Sequence, residues 1–141
     1  MKDRKKLDRF VHIKERVLDA RRAELAEANH ALQDASDRLA AARKARLLAI
    51  ETLTSPQEKG ADELSQLAQM VTLATDAERK AEEDFLAAQS LQEERTDEVA
   101  EANRDVKTLE VLRERSAKER SREISKRAQH ASDEAAARIG G

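Results

Sequence analysis

The chain has no cysteine, no tryptophan and no tyrosine, and only one proline, three glycines and two phenylalanines in 141 residues. Each scarcity removes a class of chemistry. Without thiols there is no disulfide framework, no thiolate nucleophile and no cysteine-based zinc site, a usage that fits a cytosolic protein. With glycine only at 60, 140 and 141, no glycine-rich loop is available to cradle a phosphate. With Phe10 and Phe85 as the sole aromatics, little bulky side-chain volume exists for a compact core. Charges interrupt every apolar run within a few residues, so nothing approaches a membrane span. The basic opening "MKDRKKLDRF" has no apolar stretch behind it of the kind a signal peptide carries.

The polar residues exclude more. His12, His30 and His130 are far apart and show no metal-ligand spacing; His130 with Asp133 on one helical face reads as a solvated pair. Acidic runs such as Glu82-Glu83-Asp84 and Glu93-Glu94 have no pocket to exclude water, and read as exposed face. No catalytic, cofactor-binding or metal-binding residue emerges, and the chain reads as a non-enzyme.

What is present is charge and alanine. Asp, Glu, Lys and Arg make up 40% of the chain and hydrophobic residues 39%, and 26 of those 55 hydrophobic residues are alanine. This composition points to long helices or coiled coil. The net charge of -2 leaves no bulk polycation, so nucleic-acid binding would need a local patch.

One break stands out. Pro56 and Gly60 lie together in "TLTSPQEKGADEL", where Ser55 with Glu58 has capping-box spacing and Asp62 is an equally good N-cap. On its N-terminal side Leu18, Leu25, Leu32 and Leu39 recur every seven residues, accompanied by Ala28, Ala35 and Ala42. On its C-terminal side Val71, Phe85, Val99 and Val106 share one heptad position and Ala74, Ala81, Ala88 and Ala102 the other. Both sets are coiled-coil seams. The predicted fold is all-α: a single antiparallel two-helix coiled-coil hairpin over 1–141, with helices at about 3–53 and about 62–138 and a turn at about 54–61.

In such a hairpin, facing residues have position numbers with a constant sum. A sum of 113 sets Leu39 against Ala74, Leu32 against Ala81, Leu25 against Ala88 and Leu7 against Val106, large against small, with its midpoint at the Pro56–Gln57 bond. It leaves polar layers, including Arg21 against Gln92 and Ala35 against Glu78, and an unpaired overhang of the second helix from about 110.

Charge is unevenly placed. From Glu78 to Asp105 ten acids oppose four bases, whereas from Arg113 to Arg127 seven bases oppose three acids, and the hairpin brings the basic N-terminus beside that second segment. Near the turn, Leu47, Leu48, Ile50, Met70 and Leu73 add apolar side chains beyond the seam. They either point outward as a partner site or are rotated into the seam by a stutter, since Leu39 and Ile50 are eleven apart.

The segment "NRDVKTLEVLRERSAKERSREISKRAQHASDEAAAR", with its Lys-x-Leu-Glu-x-Leu-x-Glu-Arg core at Lys107–Arg115 and Asp-Glu-x-Ala at Asp133–Ala136, resembles the C-terminal region of the FliJ family. That family comprises flagellar export-apparatus proteins, with the SctO or YscO group as injectisome counterparts in type III secretion. The early "LDRFVHIKERVLDARR" is similar as well, although the aromatics common in the family are nearly absent. The resemblance implies a stalk protein that sits in the pore of the hexameric export ATPase, promotes its assembly and activity, and contacts the cytoplasmic domain of the export gate. Export chaperones are further implied partners. The location implied is cytoplasmic, peripheral to the membrane-embedded export apparatus and without membrane insertion. On this analogy Arg4, Lys5, Lys6, Arg9, Arg113, Arg115, Lys118 and Arg120 are the expected ATPase-ring contacts, and Leu48, Met70 and Leu73 the expected gate contacts. Two other readings fit the pattern: a coiled-coil adaptor unconnected with secretion and, more weakly, a helical nucleic-acid binder using the basic overhang. Interspersed glutamates and the lack of stacking aromatics disfavour the second.

Overall fold

The computed structural model describes residues 2–140, which form two helices, α1 (Lys2–Thr54) and α2 (Ala61–Gly140), with no strand among them. The fold is an all-α antiparallel helical hairpin. Alanine, leucine, glutamate, arginine and lysine dominate both segments, and these side chains lose little freedom in a helix. Proline disfavours helical geometry in the residue before it, and α1 ends two residues ahead of Pro56.

The turn is closed differently from either sequence-based cap. The Gly60 carbonyl accepts the Leu64 amide at 2.9 Å, so Gly60 is the N-cap of α2, while Asp62 and Glu63 lie in its first turn against the positive end of the helix dipole. Ser55 and Pro56 fall outside any helix. Lys59 Nζ donates to the Ser55 carbonyl at 2.8 Å and to the Gln57 carbonyl at 3.3 Å, satisfying main-chain acceptors beyond the end of α1. No described residue outside glycine has positive φ, and neither Gly60 nor Gly140 does.

The chain divides into two compact units: a turn unit, Arg21–Val99, and a terminal unit, Met1–Ala20 with Ala100–Gly141. In the turn unit Ala28, Ala35 and Leu39 are buried, and Leu25, Leu32, Leu53, Leu67, Val71, Ala74, Ala81, Phe85 and Ala88 are half-buried around them. In the terminal unit Val11, Leu18, Ala102 and Val106 are buried, with Leu7 and Leu109 half-buried. Every buried residue among those described belongs to the heptad seams, Val11 standing seven residues ahead of Leu18. Arg46, Ala49 and Leu53 continue the pattern to the end of α1, so no stutter occurs and Leu47 and Leu48 face outward.

The register is not the one that large-against-small pairing suggests. In the turn unit the cross-helix polar contacts are Arg21–Glu98 and Arg95–Glu24, whose numbers sum to 119, Gln92–Asn29 and Arg43–Glu78, which sum to 121, and Arg46–Glu78, which sums to 124. In the terminal unit Lys14–Asp105 sums to 119 and Arg113–Asp8 to 121. Side chains lean toward their own helix N-terminus, so contacting tips overstate the sum slightly. Of the sums spaced seven apart that keep both seams inward, 120 fits and 113 does not. It sets Leu32 level with Ala88, Leu39 with Ala81 and Ala35 with Phe85 in the turn unit, and Leu18 with Ala102 in the terminal unit.

The consequence appears in the terminal unit. Ser116 and Arg120 are half-buried, and exposure becomes continuous only from Ser121 to Gly140. The segment of α2 that meets no neighbouring helix thus begins about ten residues beyond the expected 110, because a heptad slip of α2 against α1 moves the last covered layer by that order.

Candidate partner-binding surfaces

The two units differ in charge. The terminal unit carries 17 Lys and Arg against 12 Asp and Glu, a formal net of +5, whereas the turn unit carries 10 against 17, a net of -7. The excess of each sign is large enough to orient an approaching partner within a Debye length.

All eight expected ring-contact positions fall in the terminal unit. Arg4, Lys5, Lys6, Arg9, Arg115 and Lys118 are exposed. Arg113 is held by Asp8 at 3.9 Å, which partly occupies its charge within the chain. Arg120 is half-buried, with its Nε enclosed and without a hydrogen-bond partner. Arg4 and Arg120 line one shallow groove together with Ile124. The basic positions are therefore brought onto one unit, and six of the eight are both exposed and, among the described residues, without an ion pair.

Sequence reading missed an apolar feature on this same unit. Phe10 is 51% exposed and Leu112 45%, and with Leu7, Lys6, Arg115 and Ser116 they line an open groove of about 530 Å³. Ile13 and Val17 are also exposed. The signal was legible: Phe10 and Val17 are seven apart, directly preceding the seam residues Val11 and Leu18, where a flanking heptad position is normally polar.

The three expected gate contacts fall in the turn unit, and all are outward: Leu48 and Met70 are about half exposed and Leu73 68%. Ile50 is half-buried and does not join them. Leu48 and Leu73 occupy the same outer heptad position on their respective helices, and Met70 is the seam-flanking residue on that side. An antiparallel pair brings those positions of the two helices to one side.

The turn unit also contains its densest polar contacts. Arg95 Nη1 donates to both Glu98 carboxylate oxygens, at 3.2 and 3.0 Å, and approaches Glu24 at 3.5 Å; Arg21 Nη1 donates to Glu24 at 3.2 Å and lies 3.6 Å from Glu98. The hydrogen bond and charge of Glu98, followed by the charges of Glu24 and Glu94, raise the Arg95 pKa above the ordinary arginine value against a desolvation that lowers it. Glu78, the least exposed carboxylate in an ion pair, is bridged to both Arg43 and Arg46. These groups neutralise one another across the two helices.

His130 Nε2 lies 3.3 Å from Glu134, one turn on, and Asp133 instead accepts from Gln129 at 3.1 Å, so the expected His130–Asp133 pair is replaced by its neighbour in the i,i+4 spacing. Among the described residues no group of three or more His, Asp or Glu is arranged to hold a metal ion, and no helix is long and apolar enough to cross a membrane.

No curated protein and no solved structure matches the chain significantly. Residues 3–140 match the family described as Flagellar FliJ protein, nearly the whole chain. The chain therefore belongs to the FliJ family, structural and non-enzymatic proteins of flagellum biogenesis and protein export.

Proposed function

We propose that this protein is a stalk component of the flagellar export apparatus that binds the hexameric export ATPase through its terminal unit and the export gate through its turn unit. The observation that carries the reading is the confinement of all eight basic positions, from Arg4 to Arg120, to one unit of net charge +5 in a FliJ-family chain. Arg4, Lys5, Lys6, Arg9, Arg115 and Lys118 supply free cations for the ring. Leu48, Met70 and Leu73 supply the apolar contact for the gate. Export chaperones are further partners, and the protein works in the cytoplasm at the periphery of the membrane-embedded apparatus.

The mechanism is mechanical. A two-helix hairpin has no six-fold symmetry, so within a hexamer it touches the six subunits unequally and biases their nucleotide states. Stimulation needs contacts that form and break between equivalent positions. Screened ionic contacts suit that better than extensive apolar burial, because they favour fast association without deep binding.

The test mixes the full-length protein with the export ATPase of the same organism and follows hexamer formation and ATP turnover. Co-assembly with raised turnover supports the reading. A protein that neither binds nor stimulates is a coiled-coil adaptor of another kind.

A further inference from the structure

The heptad seams of the turn unit do not by themselves define one register. Sliding α2 against α1 by seven residues brings the same seam positions face to face again, so sums of 113 and 120 both keep Leu25, Leu32, Leu39, Ala74, Ala81 and Ala88 inward. The connection does not choose between them either. Residues 55–60 lie outside any helix, and six residues reach up to about 20 Å, while a heptad of helix is about 10 Å long. Nor does core volume decide strongly, since the buried positions of this unit are Ala28, Ala35 and Leu39.

The two registers differ in what faces the polar residues at the seam. In the observed register Glu78 meets Arg43 and Arg46, Arg95 meets Glu24, Arg21 meets Glu98, and Gln92 donates to Asn29 at 3.2 Å. One heptad away, the positions that meet these groups would hold Ser36 and Leu39 beside Glu78 and Leu91 beside Arg21. Two charged side chains would face apolar ones there, and a half-buried charge without a partner is unfavourable.

We infer that Glu78 with Arg43 and Arg46, and Arg95 with Glu24 beside Arg21 with Glu98, are register pins, and that the turn unit has a second packed register one heptad away that neutralising these pins populates. The seam supplies attraction without choice, and the ion clusters supply the choice. A buried polar residue that fixes alignment in a coiled coil at some cost in stability is the best-attested role of such groups. A surface that competes for either cluster would move α2 along α1 in this unit, converting a local charge contact into a displacement of about 10 Å.

The absence of native cysteine makes the test direct. Leu32→Cys with Ala88→Cys reports the observed register and Leu25→Cys with Ala88→Cys the slipped one, each in the full chain, by intrachain disulfide formation under oxidation. With the pins intact, the first pair closes and the second does not. With Glu78→Gln and Arg95→Gln added, closure of the second pair rises at least about ten-fold. Retained helicity with closure of the first pair alone overturns the inference, as does efficient closure of the second pair with the pins intact. As a measurement independent of the charge variants, closure of the Leu25/Ala88 pair should rise in molar salt, which screens the clusters; unchanged closure there counts against the pins.

Discussion

Glu78 bridges Arg43 and Arg46 across the two helices of the turn unit, from a seam position where a hydrophobic residue would ordinarily stand. Its carboxylate is largely shielded, with both arginines partly open to water. Because the pairs are partly solvated, the expected cost of Glu78→Gln is modest, about 1 kcal/mol, read as a shift in the urea midpoint at constant slope. The difference between the parent and the variant should shrink as salt is raised.

Buried and outward leucines should separate sharply. Leu18→Ala and Leu39→Ala remove side chains that are 6% exposed and should each cost about 2–3 kcal/mol. Leu73→Ala removes one that is 68% exposed and should change stability by less than about 0.5 kcal/mol. Chemical denaturation of the three variants checks both halves of the statement.

Gly60 sits at the N-cap of α2 without positive φ, and a Cβ placed there meets nothing within 4 Å. Its conformational freedom is therefore not needed. Gly60→Asp adds a side-chain acceptor for the free amides of the first turn and should stabilise by a few tenths of a kcal/mol, visible as a small rise in Tm. A loss of stability would mean that the cap is misassigned.

Removal of the C-terminal residues from Ser121 onward takes away only exposed side chains. The shortened protein should keep the melting temperature of the full chain to within about 2 °C while losing helical signal in proportion to length. Removal from Leu109 onward should instead be strongly destabilising, because it strips the neighbours of Leu7, Arg113 with its Asp8 pair, and the half-buried Ser116 and Arg120.

Much of this was legible in the residues. Leu18, Ala28, Ala35, Leu39, Ala102 and Val106 were readable as core because seven-residue spacing survives whatever the partner helix does. The turn was readable because Pro56 and Gly60 cluster where both seams pause. The register was not, because a heptad repeat is unchanged by a heptad slip, and large-against-small matching is a weaker criterion than the pairing of Glu78, Arg95 and Gln92. The start of the uncovered part of α2 followed that error from about 110 to beyond Arg120. The Phe10–Leu112 groove went unread because it depends on which α2 residues stand beside the start of α1.

The most direct measurement of the proposed role is ATP turnover by the export ATPase of the same organism, with the parent protein and with Lys5, Lys6, Arg115 and Lys118 each changed to Glu in one chain. These four are exposed, and among the described residues none has an ion pair, so their reversal should leave helicity intact. The account predicts stimulation by the parent, its loss in the reversed variant, and its retention when Leu48, Met70 and Leu73 are changed to Ser. Full stimulation by the reversed variant, or none by the parent, would contradict it.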